Sequence, residues 1–287
     1  METVQSALEW AVRELSRHRI DSPRMSSELM LGHVLGWNRE RILTHPEKPL
    51  SPETIDRFRS MVLRRAGGEP LQYITGRQEF YGLPFRVTPA VLIPRPETEI
   101  LVERALAAAM ALGEGTIRFA DVGTGSGCIA VSFARNLPAA IGLATDISID
   151  ALAVARENAA RNGVLKQIGF VRADFLEGLS PRPLFDLVLS NPPYVAAEDA
   201  VMLTREVREH EPAAALFSGG SGLDSYRRLI PQAGSRLVQG GRLLVEVGAG
   251  MSEQVAKLME EAGFAIEDIA RDLQGIPRCI LARRGHG

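Results

Sequence analysis

The chain has 287 residues, 45% apolar and 24% charged, a balance that excludes a disordered chain or a coiled coil and suits two domains. Its 33 Lys+Arg against 35 Asp+Glu leave a net charge of −2, which argues against a protein whose main business is a nucleic-acid backbone. Cys128 and Cys279 lie far apart, with no CxxC or histidine spacing around them, so neither a disulfide framework nor a metal site is expected. The opening METVQSALEW has no basic and no apolar leader region, and the small-apolar run over 105–112 falls short of the roughly 18 residues a membrane span needs. A cytoplasmic protein without membrane contact is expected.

The first seventy residues read as helices. Val4, Ala7, Leu8, Ala11, Val12 and Leu15 recur at helical spacing and make one apolar face. Ser22-Pro23 and Ser51-Pro52 each predict an N-cap followed by proline in the first turn, the second ahead of Ile55, Phe58 and Val62. Gly36 and the 46–49 stretch break the pattern between them. Short helices with one buried stripe each imply a small bundle. With 11 Lys+Arg and 10 Asp+Glu in residues 1–70, it suits protein docking better than nucleic-acid binding.

From 67 to 98 the chain turns to alternating aromatic, β-branched, Gly and Pro residues, which predicts a hairpin linker. Thr98 is expected to cap a helix carrying Ile100, Leu101 and Leu106. Strands and helices then alternate: strands over 117–122, 141–145, 168–172 and 184–190, with helices through 135 and over 149–162. After these come a helix over 225–237, a strand over 242–247, a helix over 251–262 and two terminal strands. The pattern predicts an α/β, Rossmann-like domain with a mostly parallel twisted sheet covered on both faces. The expected domains are a bundle over 1–75, a hairpin and Pro-rich linker over 76–98, and the α/β domain over 99–287.

Asp121-Val122-Gly123-Thr124-Gly125-Ser126-Gly127 sits where a strand turns into a helix. Alternate glycines let the backbone turn tightly and approach a ligand that a Cβ would exclude, and the helix start supplies free N–H donors. Asp146 ends the next strand, where a carboxylate accepts from both ribose hydroxyls of a nucleoside cofactor. Glycines alone leave the cofactor open, since 125–130 also satisfies a relaxed dinucleotide pattern. Asp174, after the third strand, is a candidate acceptor for the exocyclic amine of adenine, with Phe175 packing on the base. It is as readily a plain loop start.

The fourth strand ends in Ser190-Asn191-Pro192-Pro193-Tyr194. Two prolines fix the backbone and remove two N–H donors, leaving carbonyls without a competing amide, and Asn191 adds a side-chain acceptor. An NH2 group on a planar conjugated carbon is a poor nucleophile because its lone pair is delocalised. Two acceptors that bind its two hydrogens orient it toward an electrophile, and Tyr194 is expected to stack on the flat group. Such a site works by positioning and electrostatics.

This combination resembles the class I S-adenosylmethionine-dependent methyltransferases, and Asn191 to Tyr194 resembles the subgroup that methylates amino groups on planar systems. Glu79-Phe80-Tyr81-Gly82, the 93–99 segment IPRPETE, and His210-Glu211-Pro212 with Ala215-Leu216 before Gly222-Leu223 resemble the bacterial release factor glutamine methyltransferases across nearly the whole chain. The resemblance implies methyl transfer from S-adenosylmethionine to the glutamine amide of the Gly-Gly-Gln motif of peptide chain release factors. Gly123 to Gly127, Asp146 and Phe175 would bind the cofactor, and Asn191 to Tyr194 the glutamine. The roles of Arg95, Glu97, Glu99, His210 and Glu211 stay open. A monomer without direct nucleic-acid contact is expected. The alternatives are a glutamine methyltransferase acting on a ribosomal protein and a DNA adenine-N6 methyltransferase. The latter needs a basic cleft and a target-recognition segment that this chain does not offer. A dehydrogenase lacks an obvious acid–base partner at the strand ends.

Overall fold

Five helices precede the first strand: α1 (Val4–Arg17), α2 (Pro23–Leu35), α3 (Arg39–Thr44), α4 (Pro52–Ala66) and α5 (Leu71–Thr75). The computed structural model describes residues 2–113 and 115–285. Val4, Ala7, Ala11 and Leu15 of α1 enter one apolar cluster with Met30, Leu31, Ile42, Phe58, Val62 and Ile74, while Leu8 is only partly buried there and Val12 is not part of it. Ser51 caps α4 as expected, its hydroxyl accepting from Thr54 N at 3.2 Å. Ser22 does not cap α2: it sits in the left-handed region at φ 49°, where its side chain makes no cap bond, and only Pro23 keeps its expected place. Residues 1–76 form one structural unit together with Thr204–His210, which the sequence pattern did not associate with the bundle. Within that unit the almost wholly buried Arg65 side chain meets Glu206 at 2.8 Å.

The second unit takes residues 77–203 and 211 onward. It opens with a hairpin, β1 (Arg77–Phe80) and β2 (Leu83–Arg86), paired antiparallel across Tyr81-Gly82. Both turn residues have positive φ, as the tightest hairpin turns require. Phe80 and Phe85 pack edge-on at 6.0 Å within the core, so the hairpin is part of this unit and not a free linker.

The remaining elements are α6 (Glu99–Ala111), β3 (Arg118–Val122), α7 (Cys128–Asn136), β4 (Ile141–Asp146), α8 (Ile149–Arg161), β5 (Ile168–Arg172), β6 (Phe185–Ser190), α9 (Arg205–His210), α10 (Ala213–Leu216), α11 (Asp224–Arg236), β7 (Leu237–Glu246), α12 (Ser252–Glu261), β8 (Phe264–Arg271) and β9 (Pro277–Arg284). Seven strands form one sheet in the order β5-β4-β3-β6-β7-β9-β8, parallel except for β9, which runs against both neighbours. Leu187 and Leu189 face a cluster with α6 and α7, and Val188 faces one with α11 and α12. Apolar residues on both faces of a strand mark a sheet covered on both sides. The short helices α9 and α10 leave no trace in the sequence pattern, being too brief to show a period. β7 begins at Leu237, five residues before the expected start. Gly240 and Gly241 lie inside the strand, and the pairing with β6 shifts register between Phe185 and Leu187. Among the described residues, no helix is long and apolar enough to cross a membrane.

Candidate active site

β4 and β6 flank β3, so consecutive chain passes leave on opposite sides and open a crevice at the strand C-termini. A cavity of about 440 Å³ lies there. Gly123, Thr124, Gly125, Ser126, Asp146, Asp174, Phe175, Asn191 and Pro193 line it, together with Arg95, Thr98, Cys128 and Arg228. Gly127, Pro192 and Tyr194 do not. A wider groove of about 670 Å³ is lined by α11, α12 and the start of β8, without any of the predicted residues.

The glycine loop is set by its own backbone. Gly123, Gly125 and Gly127 have φ of 71°, 52° and 80°, values that favour glycine, and at the first two an added Cβ would meet no protein atom within 4 Å. Room for a Cβ that the chain does not use is what a ligand-lined loop needs. Gly127 serves helix packing instead, since its Cβ would lie 3.0 Å from that of Ala155, and its absence lets α7 and α8 approach closely. Asp121 anchors the loop from below, its Oδ2 accepting from Thr124 Oγ1 at 2.5 Å and Ala130 N at 3.1 Å. Burial pushes this carboxyl up to about 7. Asn158 of α8, which sequence reasoning missed, donates to Ser126 O at 2.8 Å and exchanges bonds with the backbone of Arg86 on the hairpin. A lone buried Asn in an alanine-rich helix was its only signal.

Asp146 ends β4 with both carboxylate oxygens oriented. Oδ2 accepts from Gly125 N and Oδ1 from Ser148 N, each at 2.9 Å, and each oxygen keeps a lone pair for a further donor. Asp174 Oδ2 accepts from Arg228 at 2.5 Å, and the carboxylate keeps further lone pairs for an adenine amine. Arg228 also lies over the Phe175 ring, 5.0 Å from its centroid. Phe175 stands at φ 54°, a conformation that non-glycine residues rarely adopt away from constrained sites. Its carbonyl accepts from Thr145 Oγ1 at 2.8 Å, which helps hold the conformation.

At the end of β6, Ser190 Oγ donates to Val122 O at 2.7 Å and ties this strand to the glycine-loop strand. Beyond the two prolines, Val195 N donates to Leu216 O and Ser218 N to Val195 O, both at 2.9 Å. The 215–218 segment is thus a rail for the strand end. Tyr194 packs into the cluster with Tyr226 and Met251, where a Cβ on Gly248 would lie 3.0 Å from its ring. The ring is partly buried against this cluster, and Tyr194 is not among the residues that line the cavity. Burial pushes its phenol up to about 12.

Thr98 is buried at 2% exposure and does not cap α6; a turn of 3-10 helix (Pro96–Thr98) precedes it, and its backbone is already helical. Its hydroxyl instead accepts from Asn191 Nδ2 at 3.2 Å. Behind both lies Glu246 at the end of β7, 3% exposed, with Thr98 and Asn191 as polar neighbours that favour its charge. Of the residues with open roles, Glu211 is buried and pairs with Arg95 at 2.5 Å, stiffening the cavity wall. Glu99 accepts from Tyr81 N at 2.8 Å and secures the hairpin turn. His210 belongs to the bundle unit.

Two family models match: the PrmC N-terminal domain over residues 6–76 and the methyltransferase small domain over 98–223. Relatives named release factor glutamine methyltransferase are 41% identical in Koribacter versatilis, over 98% of this chain and 99% of that one, and 42% identical in Geobacter sulfurreducens, over 99% and 97%. The chain belongs to the release factor glutamine methyltransferase family. In this family member the sheet has the class I methyltransferase form. A methyltransferase from Pyrococcus furiosus superposes with a TM-score of 0.51 at 16% identity, covering 79% of this chain and 98% of that one. The hMettl16 catalytic domain superposes at 0.56 with 18% identity, covering 83% of each. These likenesses show the fold alone.

Proposed function

We propose that this protein transfers a methyl group from S-adenosylmethionine to the side-chain amide nitrogen of the glutamine in the Gly-Gly-Gln motif of peptide chain release factors. The observation that carries it is that Asn191 and Pro193 line the same cavity as the glycine loop and Asp146, so amide acceptors and nucleoside acceptors share one space. The donor fits these residues: the open faces of Gly123 and Gly125 admit a close ligand, Asp146 has lone pairs for two hydroxyls, and Phe175 offers a ring. When bound, S-adenosylmethionine supplies a methyl group made electrophilic by its sulfonium.

The chain's own part is to orient the acceptor. Asn191 Oδ1 takes one hydrogen of the glutamine amide and a carbonyl of the Pro-Pro segment takes the other, which turns lone-pair density toward the methyl group. Cys128 is no rival nucleophile, since burial pushes its thiol up to about 12. The bundle docks the release factor, and the protein acts as a cytoplasmic monomer. Incubation with labelled S-adenosylmethionine and a panel of release factor, ribosomal protein and DNA tests the reading. Label on the Gly-Gly-Gln glutamine is expected; label only on ribosomal protein or DNA would replace it.

A further inference from the structure

A side-chain amide has nearly the same shape after a half-turn about its last bond, but that turn exchanges an acceptor for two donors. If Asn191 showed its NH2 to the cavity, it would meet the NH2 of the substrate glutamine, donor against donor. The prolines fix the backbone of Asn191 and leave this rotation undecided, so other groups must decide it. Resting on the functional reading above, we propose that Thr98 and Glu246 are positioning residues. They hold the amide NH2 of Asn191 from inside the protein and so commit its oxygen to the cavity.

The direction follows from which groups can donate. An ionised carboxylate only accepts. Asn191 Nδ2 donates to the Thr98 oxygen at 3.2 Å, which leaves the single hydrogen of the Thr98 hydroxyl for the buried carboxyl of Glu246, a neighbour of both side chains. With its NH2 held by Thr98, Asn191 keeps Oδ1 for the cavity it lines. At 2% and 3% exposure Thr98 and Glu246 have little water to substitute for these bonds. Glu246 Oε2 has no partner among the described residues, so the acid is not satisfied in the way of a purely structural ion pair.

The groups facing Glu246 are Glu97 from the turn before α6, Arg278 and Cys279 from β9, Cys128 from α7, Tyr194 and Tyr226. Arg278 favours its charge and Glu97 opposes it, while burial, the largest influence, pushes it up to about 7. Protonation adds a donor where the set needs an acceptor. The Thr98 hydroxyl then loses its fixed direction, and the amide is released to turn.

Thr98→Val keeps the shape and removes the hydroxyl; Thr98→Ser restores it. With release factor as substrate, Thr98→Val is expected to lower kcat about tenfold or more, as for loss of support to one preorganised acceptor. KM and S-adenosylmethionine affinity by calorimetry should change little, and Thr98→Ser should recover most of the rate. The kcat profile should fall on the acid side of about pH 7 in the wild type, and this limb should vanish in Glu246→Gln. Independently of activity, the Asn191 side-chain NH2 resonances of the free protein, assigned by their loss in Asn191→Ala, should titrate near neutral pH and stop doing so in Glu246→Gln. Full kcat in Thr98→Val, no recovery in Thr98→Ser, or resonances that do not titrate would overturn the proposal. Absence of transfer by the wild type would overturn the functional reading, and the resonances would still decide the amide's orientation.

Discussion

Asp146 gives each carboxylate oxygen one backbone N–H, from Gly125 and Ser148, so its position is set before any ligand arrives. Asp146→Ala is therefore expected to weaken S-adenosylmethionine binding by roughly 1–3 kcal/mol through lost charge-assisted bonds to the ribose. Unchanged affinity by calorimetry would take Asp146 out of the site. In the proposed function Asn191 acts on the other partner. Asn191→Ala should slow transfer by roughly 10²–10³ with cofactor affinity nearly unchanged, because one preorganised acceptor is lost. Asn191→Asp keeps an acceptor but places a negative charge beside a sulfonium and close to Glu246. It should bind cofactor at least as well and still transfer more slowly. The motif itself announced Asn191 and Asp146. Nothing local announced Thr98 or Glu246, since Thr98 looked like a cap and Glu246 like the polar end of a strand.

Elements aim these residues through close backbone approaches. Gly222 has φ 71°, and a Cβ there would lie 2.5 Å from the carbonyl oxygen of Tyr194. This glycine, two residues before α11, thus clamps the strand end that carries Asn191. Gly222→Ala meets strained φ and a backbone clash together, so it should cost more than about 1 kcal/mol of stability by denaturant titration. The methylation rate should fall with it. The pair Gly222-Leu223 was visible in the sequence, whereas the close approach belongs to the pairing of Val195 with Phe217, two strand-like segments 22 positions apart in the chain. The Gly240-Gly241 pair shows the same limit from the other side. It precedes the expected strand over 242–247, yet β7 runs through it and pairs with β6 with a register shift.

The molecule as a whole should be most stable on the mildly acid side of neutrality. Glu246 and Asp121 have ordinary values of 4.5 and 3.8, and burial pushes both up to about 7 in the folded state. Between the ordinary values and about 7, the folded protein keeps protons that the unfolded chain releases. Stability therefore falls as pH rises through that window and levels off above it. Glu28, Glu267 and Asp272, held low by arginine partners, act in the opposite sense and lose their contribution as pH falls below the usual carboxylate range. The melting temperature should decline from about pH 5 to about pH 7.5, and Glu246→Gln should flatten part of the decline. A melting temperature that rises across this window would contradict the buried-acid assignment. For docking, removal of residues 1–76 would strip Thr204–His210 of the rest of its unit. Arg65→Met is a gentler test, since it removes only the pair with Glu206 and the bond to Glu69 O. It should weaken methylation of intact release factor more than that of a short glutamine peptide.

Much of this protein was legible one segment at a time. Period in the apolar residues marked the bundle and the β-α alternation, and the glycine loop, Asp146 and Asn191-Pro192-Pro193-Tyr194 marked the site, because each needs a residue type at a fixed local spacing. What the tertiary structure alone decided depends on pairs distant in the chain. Thr98, Asn191 and Glu246 come from three elements and meet only because α6 packs over the sheet where β6 and β7 end side by side. Tyr194 turned inward because Gly248 leaves room for its ring. Arg228 took one oxygen of Asp174 because α11 packs beside the loop after β5. The assignment of Thr204–His210 to the bundle's unit is likewise long-range. A sequence states which side chains are present and how the nearby backbone prefers to turn. Which buried donor meets which acceptor is settled only when the sheet closes and water is excluded from the space between them.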